Sequence, residues 1–149
     1  MNKNQSLSVQ LADITSRLFA NCQEKEARHC SKFGVSIVEF RCLKILHEHE
    51  QLTVNQLAHE MSLTSSRITR IIDGLVSKQL VQRVGGVSDR RIYNLFLTPK
   101  GKKLTAELIQ NYLKIHKEIL DSIPATSQQQ MVETLLKLND ALEQWLKSE

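Results

Sequence analysis

The residues best equipped for chemistry lie in the middle of the chain. Ser65-Ser66-Arg67-Ile68-Thr69-Arg70 places small hydroxyls and guanidiniums around a single isoleucine. Further on, Gly85-Gly86-Val87-Ser88-Asp89-Arg90-Arg91 ends a glycine-bearing loop in an acid and two adjacent arginines. Guanidinium forks and short hydroxyls are the donors that suit phosphate oxygens and base edges. The surrounding charge agrees. From Ser62 to Lys103 nine basic residues stand against two acids, a local balance of +7 in a chain of net charge +4, so the remainder carries −3. A basic middle between mildly acidic ends points to a polyanion contacted by one region only. No phosphate-binding loop, nucleophile motif or convergent acid pair is present, which argues against an enzyme.

These residues need elements to position them. Five glycines and two prolines in 149 residues leave most of the chain free to be helical. Leu7, Leu11, Ile14 and Leu18 recur at helical spacing and predict a first helix from Leu7 to about Arg28. Ser31 to Gly34 reads as a break. Ser36-Ile37-Val38-Glu39 fits a capping box that opens a second helix, Ile37 to about His49, burying Phe40, Leu43 and Leu46. Thr53 to Gln56 repeats the pattern for a short third helix carrying Val54, Leu57, Ala58 and Met61 on one stripe. Thr64 then caps a fourth helix, Ser65 to about Lys78, with Ile68, Ile71, Ile72, Leu75 and Val76 inward. The opposite face carries Ser65, Ser66, Thr69, Arg70 and Asp73, with Arg67 at its edge.

Beyond this helix the period changes. Leu80 to Val84 and Ile92 to Leu97 are β-prone runs joined by the GGVSDRR loop, a hairpin with a loop longer than a tight turn requires. Thr98-Pro99 starts a long helix to about Ile123, striped by Leu104, Leu108, Tyr112, Ile115 and Ile119. Pro124 ends it. A last helix, about Ser127 to Lys147, sets Met131, Leu135, Leu138, Leu142 and Trp145 four, three, four and three apart, a heptad-like seam suited to pairing with another helix. The fold class is therefore mainly α with a small β-hairpin wing.

Two short helices joined by a tight turn, the second followed by a hairpin, form a winged helix-turn-helix. The stretch LTVNQLAHEMSLTSSRITRIIDGLVSKQLVQRV, followed by SDRRIYNLFLTPKGKKL, resembles the MarR family of bacterial transcriptional regulators over nearly the whole chain. Its most specific element is Asp89-Arg90-Arg91 followed by Leu97-Thr98-Pro99-Lys100-Gly101, the family's wing signature. The resemblance implies a DNA-binding domain over residues 36–103 and a helical dimerisation region over 1–35 and 104–149. It further implies a homodimer straddling pseudo-palindromic double-stranded DNA, acting as a repressor relieved by a small-molecule or redox signal. The fourth helix would enter the major groove with Ser65, Ser66, Arg67, Thr69 and Arg70. A wing arginine, either Arg91 at the family position or its neighbour Arg90, would enter the minor groove, with Asp89 orienting it through a charge-assisted bond. Gly85 and Gly86 replace polar, often proline-bearing residues of the family loop and suggest a more mobile wing. The alternative is a winged-helix protein-interaction module without specific DNA binding, which an acidic or apolar recognition face would favour.

Some members of the family sense oxidants, which makes Cys22 and Cys30 redox candidates. Peroxide-sensing members place their cysteine earlier in the first helix, where this chain has Leu11 or Ala12, so inert or buried cysteine is the favoured reading, and Cys42 shares it. Three cysteines without a CxxC pair suit a reducing compartment. His47-Glu48-His49-Glu50 and His59 match no metal motif of the family and read as a solvated helix end, so neither metal nor cofactor is expected. No run approaches the roughly 18 apolar residues of a membrane span, and MNKNQSLSVQ lacks the apolar core of a secretory signal. A cytoplasmic protein with no membrane partner is expected.

Overall fold

In the computed structural model, which describes residues 6–86, 88–89 and 91–148, the elements run α1 (Leu7–Ser31), α2 (Ile37–Glu48), β1 (Leu52–Thr53), α3 (Val54–Met61), α4 (Ser65–Ser77), β2 (Val81–Gly85), β3 (Tyr93–Leu97), α5 (Pro99–Asp121) and α6 (Ala125–Ser148). The expected helix boundaries hold to within about three residues, the ordinary fraying range at helix ends. The chain divides into two compact units, residues 1–110 and 111–149, so α5 begins in the first and ends in the second.

The caps explain why the short helices start where they do. Ser36 Oγ accepts from the Glu39 amide at 3.1 Å while the Glu39 carboxylate accepts from the Ser36 amide at 2.8 Å. Thr53 and Gln56 repeat this reciprocal pair at 3.2 and 2.8 Å. Each box satisfies two amides that the helix itself leaves unbonded. Ser62, at φ 52, turns the chain from α3 into α4. Thr64 Oγ1 then accepts from the Arg67 amide at 3.3 Å.

The first unit is organised around Leu43, Leu57, Ile68, Ile72, Leu75, Leu95 and Leu108, all fully buried. Each such side chain stabilises the fold by roughly 1.5–3 kcal/mol through burial. On α4 the apolar stripe is narrower than expected: Ile68, Ile72 and Leu75 are buried, but Val76 is 37% exposed. At 3.6 residues per turn Val76 lies about 80° around the helix from Ile68, at the edge of the arc the core covers.

The sheet has the order β1-β3-β2, antiparallel throughout. The expected hairpin is β2 and β3, in register from Val81 opposite Leu97 to Gly85 opposite Tyr93. The third strand, β1, pairs Leu52 with Leu95 and Thr53 with Asn94. Because Thr53 is also the cap of α3, this short strand fastens the helix-turn-helix to the wing.

In the second unit, Gln128 Nε2 donates to the carbonyls of Leu120 and Ile123, both at 3.0 Å, and closes the turn between α5 and α6. The α6 seam is present but uncovered: no described residue of α6 is buried, and Leu142 and Trp145 are 50% and 60% exposed. Along α1, Leu7, Leu11, Ile14 and Leu18 are likewise exposed.

Candidate nucleic-acid interface

The exposed face of α4 carries every residue expected of it. Ser65, Ser66, Arg67, Thr69 and Arg70 are all exposed. Their hydrogen bonds decide what each can offer. Ser65 Oγ donates to Asn55 Oδ1 at 2.7 Å, and Thr69 Oγ1 donates to the Ser65 carbonyl at 2.9 Å. With those protons committed, both hydroxyls face solvent as acceptors, the role that suits an adenine or cytosine amino group. Ser66 Oγ lies 3.2 Å from Thr64 Oγ1, either atom donating. Arg67 and Arg70 hold no ion pair among the described residues, so they supply the cationic donors of this face.

Two residues that sequence reasoning did not single out complete the face. Arg83 on β2 reaches back to α4, where its Nη2 donates to Asp73 Oδ1 at 2.6 Å and to the Thr69 carbonyl at 3.3 Å. The pair is partly exposed and stabilises the fold by only about 0.2–1 kcal/mol. Its greater effect is local: it neutralises the acid on the helix face that would otherwise repel a polyanion. Asn55, on the first turn of α3, holds Ser65. The only sequence signal for either was residue type, because both partnerships depend on how elements pack.

At the wing tip Asp89 is bonded to the main chain. The carboxylate accepts from the backbone amide of Arg91 at 2.9 Å, and among the described residues it forms no ion pair with a guanidinium. Asp89 thus shapes the turn through the main chain, a habit of short acids that hydrogen-bond two residues on. The Arg91 side chain is exposed and lines an open cleft of about 530 Å³ with Thr53, Asn55, Thr69, Arg83 and Tyr93, between the starts of α3 and α4 and the wing. Arg90 lies outside the described residues. Gly86 closes the loop onto itself: its amide donates to the Ile92 carbonyl at 2.8 Å, and a Cβ there would meet the Asp89 carbonyl oxygen at 2.9 Å. Gly85, by contrast, has no described residue within 4 Å of where a Cβ would go. One glycine of the pair therefore serves close packing rather than freedom.

Not all of the +7 is on offer. Arg83 is spent on Asp73, and Lys78 pairs with Glu39 at 2.7 Å. Lys100 Nζ donates to the Lys78 carbonyl at 3.0 Å. Arg67, Arg70, Arg91, Lys102 and Lys103 remain without an ion pair among the described residues.

The cysteines do not converge on this face. Cys30 and Cys42 are fully buried, whereas Cys22 is exposed on α1. Burial, with the Glu26 carboxylate adding to it, pushes the Cys30 thiol up to about 11. Burial and the Glu39 carboxylate push Cys42 up to about 12. A raised thiol pKa favours the neutral form, so both groups stay protonated and unreactive through neutral pH and lose that preference only as pH rises from 9 toward these values. At pH 8 a thiol reagent is therefore expected to modify one cysteine of the native protein promptly, Cys22, and the other two only on denaturation. Mass-mapped labelling of Cys30 as fast as Cys22 would contradict this. Among the described residues no group of three or more histidine, cysteine or acidic side chains could hold a metal ion, and no helix is long and apolar enough to cross a membrane.

The family model described as "MarR family" matches residues 35–93. The chain is 30% identical over 110 residues to the uncharacterised HTH-type transcriptional regulator YsmB of Bacillus subtilis, covering 70% of this chain and 75% of that protein. It is 28% identical over 126 residues to the HTH-type transcriptional repressor MdtR of Bacillus subtilis, covering 85% of this chain and 81% of that one. Its fold is similar to that of FabT from Streptococcus pneumoniae, solved in complex with DNA, with a TM-score of 0.78 at 22% identity, covering 93% of this chain and 99% of that one.

Proposed function

Because this chain belongs to the MarR family of transcriptional regulators, and so is a DNA-binding regulator and not an enzyme, we propose that it is a homodimeric repressor of the genes whose operator it binds. In this reading α4 enters the major groove of a pseudo-palindromic site, a wing arginine from Asp89-Arg90-Arg91 enters the adjacent minor groove, and half-sites lie about one helical turn apart. The observation that carries it is the face of α4: two arginines without ion pairs among the described residues, beside acceptor hydroxyls, with its acid neutralised by Arg83.

Residues 36–103 form the DNA-binding part of this proposal, and 1–35 with 104–149 the dimerisation region. The exposed apolar stripes of α1 and α6 support that division, since a monomer rarely leaves so much leucine in water. Repression is supported by the relative MdtR, itself named a repressor. Relief by a small molecule or an oxidant, and action in the cytoplasm, complete the proposal. The expected result is a particle of two protomers by light scattering that protects two half-sites about 10 base pairs apart in footprinting. A monomer protecting a single short site would overturn it.

A further inference from the structure

The helix proposed to read DNA carries Ser65, Ser66, Arg67 and Arg70 in its N-terminal half, and its C-terminal end is fastened by a cluster of hydrogen bonds. Lys78, the residue that caps α4, is held from two sides. Its ammonium donates to Glu39 Oε1 and Oε2 at 3.0 and 2.7 Å and to the Gly34 carbonyl at 3.0 Å. Its own carbonyl accepts from Lys100 Nζ at 3.0 Å. The start of α5 holds the next two carbonyls as well: that of Gln79 accepts from Thr98 Oγ1 at 2.7 Å and that of Leu80 from the Thr98 amide at 3.0 Å. Gln79 itself sits at φ 61, a left-handed conformation that a side-chain-bearing residue keeps only where its surroundings impose it.

We infer that Lys78, Thr98 and Lys100 are positioning residues for DNA recognition, setting the angle at which α4 leaves the domain, and that Lys100 serves a helix end rather than a phosphate. The inference rests on the reading of α4 as the groove-entering helix. A helix's final carbonyls carry partial negative charge and lack intrahelical donors, so a lysine and a threonine hydroxyl there satisfy both electrostatics and hydrogen bonding. The lever is long. Thirteen residues at 1.5 Å rise separate Lys78 from Ser65 by about 20 Å, so a tilt of about 5° at the fastening moves the DNA-facing end by roughly 1.7 Å. A hydrogen bond to a base edge tolerates only a few tenths of an ångström beyond its normal 2.7–3.2 Å, so base reading suffers while long-range attraction to phosphates does not.

Fluorescence anisotropy on the intact protein separates these roles, using a duplex from the region upstream of its own gene and a shuffled duplex, over a salt series, with melting curves alongside. Lys100→Met and Thr98→Val are expected to lower the preference for the native duplex by about tenfold, the scale of one lost base contact. Affinity for the shuffled duplex and the slope of log K against log salt should stay as in the wild type, and Thr98→Ser should restore the preference. If Lys100→Met instead makes the slope shallower by about one with the preference intact, Lys100 touches phosphate and the inference is overturned. It is also overturned if Thr98→Val weakens both duplexes equally in step with a lost melting transition. A wild-type protein without preference would remove the reading of α4 itself, an outcome distinct from either.

Discussion

Gly101→Ala is expected to destabilise the protein by about 3 kcal/mol or more, at the upper end of what overpacking one methyl group does. Gly101 lies buried on the first turn of α5, and a Cβ at that position would stand 1.9 Å from the Leu80 carbonyl oxygen and 2.9 Å from its carbon. Those atoms are backbone, and Leu80 is fixed by its hydrogen bonds: its carbonyl accepts the Thr98 amide at 3.0 Å and its amide donates to Leu75 at 2.9 Å. Relief would require parting α5 from the end of α4. The expected fall in melting temperature is on the order of 10 °C. Gly85→Ala provides the contrast, with no described residue within 4 Å of its added methyl. It should stay within about 0.5 kcal/mol of the wild type. Equal urea midpoints for the wild type and Gly101→Ala would contradict the close approach.

The second large effect concerns binding. Arg70→Ala should weaken binding to the native operator by about 5- to 150-fold, corresponding to the roughly 1–3 kcal/mol of a good base contact, and should relax specificity at one position of each half-site. Alanine at a wing arginine should act differently. A guanidinium drawn into the minor groove by its potential contributes through charge, so its loss should weaken many sequences alike and make the salt slope shallower by about one. Arg91→Ala and Arg90→Ala, compared in the same assay, assign that role. Arg83→Ala is informative beside them: it touches no DNA in this account, but it uncovers the Asp73 carboxylate on the binding face. The proposal fails for the wing if neither arginine variant changes affinity or slope.

Much of this was legible because helix starts are written in side-chain chemistry. Ser36, Thr53 and Thr64 each stand one residue before a helix, and each accepts the amide that its helix leaves free. Thr98 does the same for α5, accepting the Gly101 amide at 2.9 Å. The exposed hydroxyls and arginines of α4 could be named from the isoleucine stripe on the other side. β1 could not be found this way, because two residues are too few to show an alternation. Nor could the partnership of Arg83 with Asp73 or of Lys100 with Lys78, since both depend on how neighbouring elements pack, and from composition alone each was one more cation. Periodicity also reports that a face avoids water without saying what covers it. The regular leucines of α1 are exposed, and its buried residues are His29 and Cys30 near its end.

Competition anisotropy decides whether the face formed by α4 and the wing reads DNA sequence. Labelled duplex from the region upstream of this protein's gene would be displaced from the wild-type protein by unlabelled native or shuffled duplex across a salt series. The native duplex is expected to compete at least about 10³-fold better, with affinity for both falling steeply as salt rises. Equal competition by the two duplexes, or an affinity indifferent to salt, would contradict it.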